Sequence, residues 1–319
     1  MLKLCSEIFF RTAAKQWLIP FVSEVKIKRD MSRLTAECSI TIPKAIKWQN
    51  EPSVPLKRGD EVIVRLGYDD ELRTVFVGYI KDVSTKTPVV IKCEDEMFML
   101  KQMPAKKNAY RSVDIETLLK EQYTGVDVKV FGEQRLGQYR ITADTVAGLL
   151  ADLRKSGIKS FFLYENDKPV LYSGVVFERE STPSQVFSTG INIIDDTSLE
   201  QRNADASRIR IKAISIMPDN TKIKVEVGDE DGEWRTLHAY NKTEEELTAW
   251  AMQELKDMKR EGLAGSFTTF GYMPVKLLDC IGIKIDGEKR GVYQVSKNEL
   301  TFGMAGYRQK ITLGRRVAD

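Results

Sequence analysis

The chain holds one histidine, His238, in 319 residues. A histidine-rich metal centre is therefore excluded, and a Ser-His-Asp or Cys-His arrangement has only that residue to draw on. It stands in Trp234-Arg235-Thr236-Leu237-His238 and reads as a surface or interface side chain. Cysteine is almost as scarce: Cys5, Cys38, Cys93 and Cys280, none within metal-ligand spacing of another. Cys38, Cys93 and Cys280 sit in strand-like runs, where a free thiol behaves as a small buried hydrophobe. Disulfides and reactive thiols are not expected. No GxxxxGKS, GxxxxGKT, GxGxxG or GxSxG is present. The reading therefore assigns no catalytic residue, no cofactor and no metal.

Two further absences bound the class. No run of about 18 apolar residues occurs, so no membrane span is expected. The N-terminal MLKLCSEIFFRTAAK is interrupted by Lys3, Ser6, Glu7 and Arg11 and lacks the apolar core of a signal peptide. Synthesis in the cytoplasm is the default expectation. Charge of one sign is also lacking: 49 basic and 46 acidic residues leave only +3. A dedicated nucleic-acid binder would carry a concentrated basic field, and the pairs Lys106-Lys107 and Arg315-Arg316 are too isolated to supply one.

What is present is alternation. Pro55–Ile80 reads PLKRGDEVIVRLGYDDELRTVFVGYI. Gly59-Asp60 is a turn signal, and Val62, Val64 and Leu66 alternate with Glu61, Ile63 and Arg65. Gly67, Asp69 and Asp70 break the run before Val75–Ile80 resumes it. A hairpin with a loop of several residues is expected. Upstream, residues 1–24 are an apolar leader expected to pack as a strand or arm. Val25–Lys28 and Leu34–Ile42 form another hairpin, and Pro43–Gln49 a short helix. Val89–Cys93 adds a strand, and Glu94–Gln102 either a strand or a helical turn. About six short strands approach what a small barrel needs.

After Pro104 the pattern changes. Ser112 is placed to cap a helix containing Ile115, Leu118 and Leu119, and Thr142 to open one with Val146, Leu149, Leu150 and Leu153, closed by Gly157. Val126–Phe131 is a strand, and Ile158–Tyr164 with Pro169–Tyr172 a hairpin. Beyond Gly190 alternation returns at Ile209–Lys212 and Thr221–Val227. Thr243 and Glu246 then make a capping box, which is a simpler reading of Asn241-Lys242-Thr243 than a glycosylation site. Leu247, Trp250, Ala251, Leu255 and Met258 share one helical face. Acids stand at its start and Lys256, Lys259 and Arg260 at its end. Strands follow near Cys280–Ile285, Gly291–Val295 and Tyr307–Leu313.

The two β regions answer one another. Val25–Lys28 matches Ile209–Lys212, and Thr35–Ile42 matches Thr221–Val227. Pro55 lies five residues before Asp60, and Pro274 five before Asp279. Val62, Val64 and Leu66 match Ile281, Ile283 and Ile285, and Arg73, Val75 and Phe76 match Arg290, Val292 and Tyr293. The long helix takes the place that Pro43–Pro52 holds in the first copy. The expected fold is α+β, mainly β: two similar small β-barrels with a small α+β domain inserted between them. The expected domains are 1–105, a first barrel with its N-terminal arm; 106–200, the inserted domain; and 201–319, a second barrel carrying an amphipathic helix over 243–261.

Two acidic clusters, Glu94-Asp95-Glu96 and Asp229-Glu230-Asp231, are the places where paired carboxylates could serve glycosidase chemistry. Each adjoins a strand end, where a solvated turn is the ordinary reading. The residues speak against an enzyme and for a scaffold that binds other proteins.

The stretch KRGDEVIVRLGYDDELRTVFVGYI, followed by VVIKCEDEMFMLKQ, resembles the first barrel of phage baseplate hub proteins. These form the Mu-type tail protein and late-control group, related to the hub part of type VI secretion spikes. The carrying motifs are Gly59-Asp60, Val62–Leu66, Phe76-Val77-Gly78-Tyr79-Ile80 and Cys93-Glu94-Asp95, with Asn192-Ile193-Ile194 similar to the entry of the second barrel. The resemblance implies a homotrimer whose six similar units let a three-fold spike meet a six-fold tail tube. It also implies tail-tube, spike and other baseplate partners in a contractile injection device, and a channel that passes DNA or effector without sequence readout. The site implied is the virion tail baseplate of a phage or prophage. Type VI spikes continue into an OB-fold and a β-helical needle, and Leu313–Asp319 does not, so the spike is expected to be another polypeptide. A peptidoglycan- or carbohydrate-acting tail enzyme and a monomeric protein-binding adaptor are the alternatives.

Overall fold

The computed structural model describes residues 3–43, 48, 54–84, 86–166, 168–178, 181–202, 208–259 and 261–318. One sheet of fourteen strands dominates a chain that is mainly β. Its first half contains Leu4–Arg11, Gln16–Ile19, Glu24–Asp30, Glu37–Ile42, Glu61–Tyr68, Glu71–Val83 and Val89–Glu94. Period-2 apolar positions place Val62, Val64, Leu66, Phe76 and Ile80 in one core with Ile8, Phe10, Ile27 and Ile40. Of the two forms expected for the N-terminal segment, a strand or an arm, it takes the strand: Leu4–Arg11 pairs with Glu61–Tyr68 from Leu4↔Tyr68 to Arg11↔Glu61. The expected loop after Tyr68 is shorter than the sequence suggested. Asp69 (φ 48°) and Asp70 (φ 67°) form a two-residue turn closed by Tyr68↔Glu71. Both central residues sit at positive φ, the geometry that matches strand twist in a tight hairpin. The short helix expected over Pro43–Gln49 falls largely outside the described residues.

The second half contains Gln185–Ser188, Ile193–Asp195, Leu199–Arg202, Gly262–Phe270, Cys280–Ile285, Glu288–Gly303 and Gly306–Ala318. In it Gly306–Ala318 lies between Gly262–Phe270 and Glu288–Gly303, and Cys280–Ile285 pairs on the far side of Glu288–Gly303. In the first half Val89–Glu94 lies between Glu37–Ile42 and Glu71–Val83, with Glu61–Tyr68 beyond. The two halves thus repeat one strand order. They join where Lys297–Gly303 pairs with Glu24–Asp30. No pairing among the described residues closes either half into a ring.

The repeat differs from the expected one. Ile209–Ile216 and Lys222–Gly228 do not answer Val25–Lys28 and Thr35–Ile42. With Glu233–Tyr240 they form a separate three-stranded sheet. The counterparts in the large sheet are Ile193–Arg202 and Gly262–Phe270, and the separate sheet and the long helix are inserted between them. The expected match of Val75 to Val292 is displaced by two residues. Ile80 and Val295 hold equivalent bonds, so Val77 answers Val292 and Gly78 answers Tyr293.

Between the halves lie three helices, α1 (Met97–Leu100), α2 (Ile115–Gln122) and α3 (Val146–Lys155). A sheet ordered Asp127–Phe131, Lys168–Gly174, Lys159–Glu165 accompanies them. Ser112 is not a cap: its hydroxyl donates to the Leu136 carbonyl, and Asp114 holds the N-cap position of α2. The α3 cap is Thr145 rather than Thr142, its hydroxyl accepting from the Gly148 N–H at 3.1 Å. Gly157, at φ 88°, follows the helix as expected. The fourth helix, α4 (Glu244–Met258), starts on the Thr243–Glu246 capping box. It buries Leu247 and Ala251 on Ile209, Ile211 and Ala213. It ends at Met258, short of the expected residue 261, and a strand opens at Gly262.

Candidate functional site

Two turns hold the two halves of the sheet in the same way. In the first, the Asp60 carboxylate accepts from the Lys57 N–H at 2.7 Å. Gly59 sits at φ 93°; its N–H donates to the Ile80 carbonyl, and the Ile80 N–H returns to the Asp60 carbonyl. In the second, the Asp279 carboxylate accepts from the Lys276 N–H at 2.7 Å. Leu278 sits at φ 69° and donates to the Val295 carbonyl, and the Val295 N–H returns to the Asp279 carbonyl. The repeated spacing from proline to aspartate corresponds to one turn built twice. Leucine at positive φ carries a steric cost that glycine does not, and Leu278 is fully buried.

Glu94, Asp95 and Glu96 are not a solvated turn. All three are buried, and each is tied to a different part of the molecule. Glu94 meets Lys81 at 2.6 Å and Lys101 at 2.7 Å. Burial alone would raise its pKa, but hydrogen bonds from Lys101 and Lys81 hold it below the ordinary carboxylate range. Asp95 accepts from the N–H groups of Ala36 at 3.0 Å and Met97 at 3.2 Å. Burial pushes its carboxyl up to about 7 against the pull of those donors. Glu96 accepts from the Tyr123 hydroxyl, at the end of α2, at 2.8 Å. The burial follows from α1: Met97 and Leu100 enter the core formed by α2 and α3, which draws the preceding acids beneath the sheet. Sequence reasoning missed this because a three-residue acidic run carries no periodicity. The one available signal was the apolar Met97-Phe98-Met99-Leu100 directly after it.

The second cluster behaves as expected of a turn. Glu230 and Asp231 are exposed. Asp229 pairs with Lys259 at 2.6 Å and accepts from the Ile209 N–H at 3.0 Å, and Asp231 pairs with Arg208. His238 is half-buried on Glu233–Tyr240, and burial lowers its pKa. It lies so close to Gly157 that a Cβ there would sit 2.5 Å from the His238 Cβ. The structure thus places His238 at the contact between the α3 end and the three-stranded sheet. Cys38, Cys93 and Cys280 are buried, as their strand-like runs imply. Cys38 and Cys93 prove to be register partners, which their separation in sequence hid.

A cavity of about 630 Å³ opens where both halves and the middle block meet. Arg29, Tyr68, Asp95, Tyr164, Tyr272 and Tyr307 are among its walls. Tyr68 of the first half contacts Tyr272 and Tyr307 of the second, with ring centroids 6.1 and 5.9 Å apart. Arg73 donates to the Tyr272 carbonyl at 3.3 Å. The Arg29 guanidinium donates to the Val75 carbonyl. Among the described residues no group of three or more His, Cys, Asp or Glu side chains is placed to hold a metal ion.

No family model matches the chain, and no curated protein matches it in sequence. Solved structures do. The tail protein of Neisseria meningitidis superposes with a TM-score of 0.64 over 98% of this chain and 97% of its own, at 15% identity. The 43 kDa tail protein of prophage MuSo2 from Shewanella oneidensis gives 0.63 over 97% and 98%, at 16% identity. This is the fold of phage tail proteins. An E. coli component of the type VI secretion system, described as structurally similar to the T4 tail proteins gp27 and gp5, gives 0.53 over 93% of this chain and 74% of its own, at 12% identity. The tail-protein fold therefore extends through both halves of the sheet and the segments between them, well beyond residues 55–100, which carry most of the resemblance in sequence.

Proposed function

We propose that this chain is a structural baseplate hub of a phage tail or tail-like contractile injection device. The observation that carries the reading is the repeated strand order on either side of Lys297–Gly303, in a chain with the tail-protein fold. Two equivalent halves per chain make three chains present six similar units. Such a ring matches a six-fold tube on one side and a three-fold spike on the other. Closed rings need heterologous interfaces that return on themselves.

We infer domains that follow the sheet. The first half lies within 1–105, the middle block runs from 106 to about the Ser181 turn, and the second half follows with 209–258 inserted in it. Tube, spike and other baseplate proteins are the partners, and DNA or effector crosses the channel without sequence readout. The hub is made in the bacterial cytoplasm and resides in the virion tail baseplate. Neither acidic cluster favours the glycosidase alternative. Glu94, Asp95 and Glu96 are buried and bonded to Lys81, Lys101, backbone and Tyr123, and Asp229 and Asp231 are held by Lys259 and Arg208.

Electron microscopy of the chain mixed with its cognate spike and tube proteins tests the reading. A three-fold ring with six lobes is expected. A chain that stays monomeric with both partners present, or that cleaves peptidoglycan, would sink it.

A further inference from the structure

The period of two along Glu24–Asp30 puts Val25, Ile27 and Arg29 on one side of the strand. Val25 and Ile27 belong to the core of the first half. Arg29 therefore stands where the pattern calls for an apolar residue, and it forms part of the wall of the cavity of about 630 Å³. Burial lowers its pKa, and a charge taken out of water is costly unless it is paired. Among the described residues its one hydrogen bond goes to the Val75 carbonyl. The strand register passes from Val64↔Phe76 to Arg65↔Thr74, which leaves Val75 as the extra residue of a β-bulge. Bulges re-aim groups beside functional sites, and this one supports a guanidinium.

Asp95 also lines the cavity, and its charge acts on Arg29 from beyond ion-pair distance. Its two oxygens are taken by backbone, Oδ2 by the Ala36 N–H and Oδ1 by the Met97 N–H. Burial holds its carboxyl at about 7, so at neutral pH it offsets the guanidinium only in part. Tyr164 of the middle block and Tyr307 of the second half complete the polar surface. Burial raises the pKa of both, and neither hydroxyl enters a hydrogen bond among the described residues. Leu66, Phe76, Phe162 and Leu300 supply a buried apolar wall. At the exposed rim the charges balance, with Asp69 and Glu71 against Arg73 and Lys276.

We propose that this cavity is a binding site for an organic carboxylate with an apolar or aromatic body. A guanidinium presents a planar fork of N–H donors that matches a carboxylate bidentately. The Tyr164 and Tyr307 hydroxyls donate to the same anion, and the apolar wall covers the body. A pocket of this size, mostly apolar with a few convergent polar groups, is the ordinary form of a small-ligand site. One guanidinium with Asp95 nearby balances a single negative charge, which favours a carboxylate over a phosphate dianion. A small free acid and the C-terminal residue of a chain share this chemistry. Both halves and the middle block contribute walls, so an occupant ties the three together. The proposal goes beyond the hub reading and does not depend on it.

The test is calorimetric titration of the full chain with millimolar N-acetyl-phenylalanine. N-acetyl-phenylalaninamide, phenethylamine and inorganic phosphate serve as neutral, cationic and apolar-free controls. The free acid is expected to bind roughly tenfold or more tighter than each control, the margin of a charged hydrogen-bond pair. Arg29→Met keeps the length of the side chain and should remove that margin while leaving the weak binding of the amide as it is. Arg29→Lys keeps the charge but loses the fork, and Tyr307→Phe loses one donor; each should give an intermediate affinity. Should Arg29→Met fail to fold, the comparison of acid with amide on wild type and on Tyr307→Phe decides. A crystal of the complex should show the carboxylate on Arg29. An acetylated tripeptide ending in free phenylalanine that binds more tightly than the single residue assigns the site to a chain terminus. Equal or weaker binding assigns it to a small acid. Absence of binding by the free acid, equal affinity for acid and amide, preference for the amine or phosphate, an affinity indifferent to Arg29→Met, or a ligand seated outside the cavity overturns the proposal. None of these results bears on ring formation, so the hub reading stands or falls separately.

Discussion

At the scale of the residue, Asp95 and Glu94 are neighbours with opposite electrostatic signatures. Asp95 titrates about 7 in the folded chain and near 4 in an unfolded one. Its folded pKa is raised, so the folded state binds the extra proton between those values, and stability falls as pH rises through that window. The drop is up to about 4 kcal/mol from a shift of this size. Asp95→Asn cannot titrate, so the stability of wild type relative to this variant should decline between pH 4 and 7 in urea unfolding. A pH-independent difference would contradict it. Glu94 has a depressed folded pKa, so its contribution is present above the unfolded value and lost as pH falls through the folded one. Glu94→Gln should cost about 1–3 kcal/mol at pH 7 by weakening charged hydrogen bonds to Lys81 and Lys101. That cost should shrink on acidification. Neither residue's role was legible in the sequence. Acid at a strand end ordinarily means a turn in water, and only the docking of Met97 and Leu100 into a distant core reverses that.

At the scale of the element, local chemistry was readable and long-range pairing was not. The α4 capping box, the Val62–Leu66 alternation and the Lys159–Glu165 and Lys168–Gly174 hairpin follow from spacing alone. The assignment of Ile209–Val227 to the large sheet failed because alternating β-branched runs look alike whatever they pair with. What identified true counterparts was the turn, where a carboxylate at a fixed distance from proline must reach a particular N–H. Asp60→Ala and Asp279→Ala remove the same bond. Each should cost about 1 kcal/mol in thermal or urea unfolding. A cost at one position and none at the other would mean that the two turns do not carry equivalent loads. Gly59→Ala isolates the backbone term, since φ is 93° and nothing lies within 4 Å of the added Cβ. It should cost about 1–2 kcal/mol with no packing change.

At the scale of the whole molecule, two halves repeated in sequence are one object in the fold. The long strand Glu288–Gly303 belongs to the second half at its start, where it pairs with Cys280–Ile285. At its end it pairs with Glu24–Asp30, and Leu300, Phe302 and Tyr307 enter the core of the first half. Continuity of this kind was invisible in the sequence, because a strand's alternation does not announce its neighbours on either side. Such continuity couples the unfolding of the two halves. Leu300→Ala tests this. The side chain is 5% exposed, and truncation should cost about 2–5 kcal/mol. In native-state hydrogen exchange, amides of Glu24–Asp30 and Glu37–Ile42 should lose protection together with those of Glu288–Gly303. If only the C-terminal strands loosen while Glu24–Asp30 keeps its wild-type exchange, the halves are independent units that merely touch.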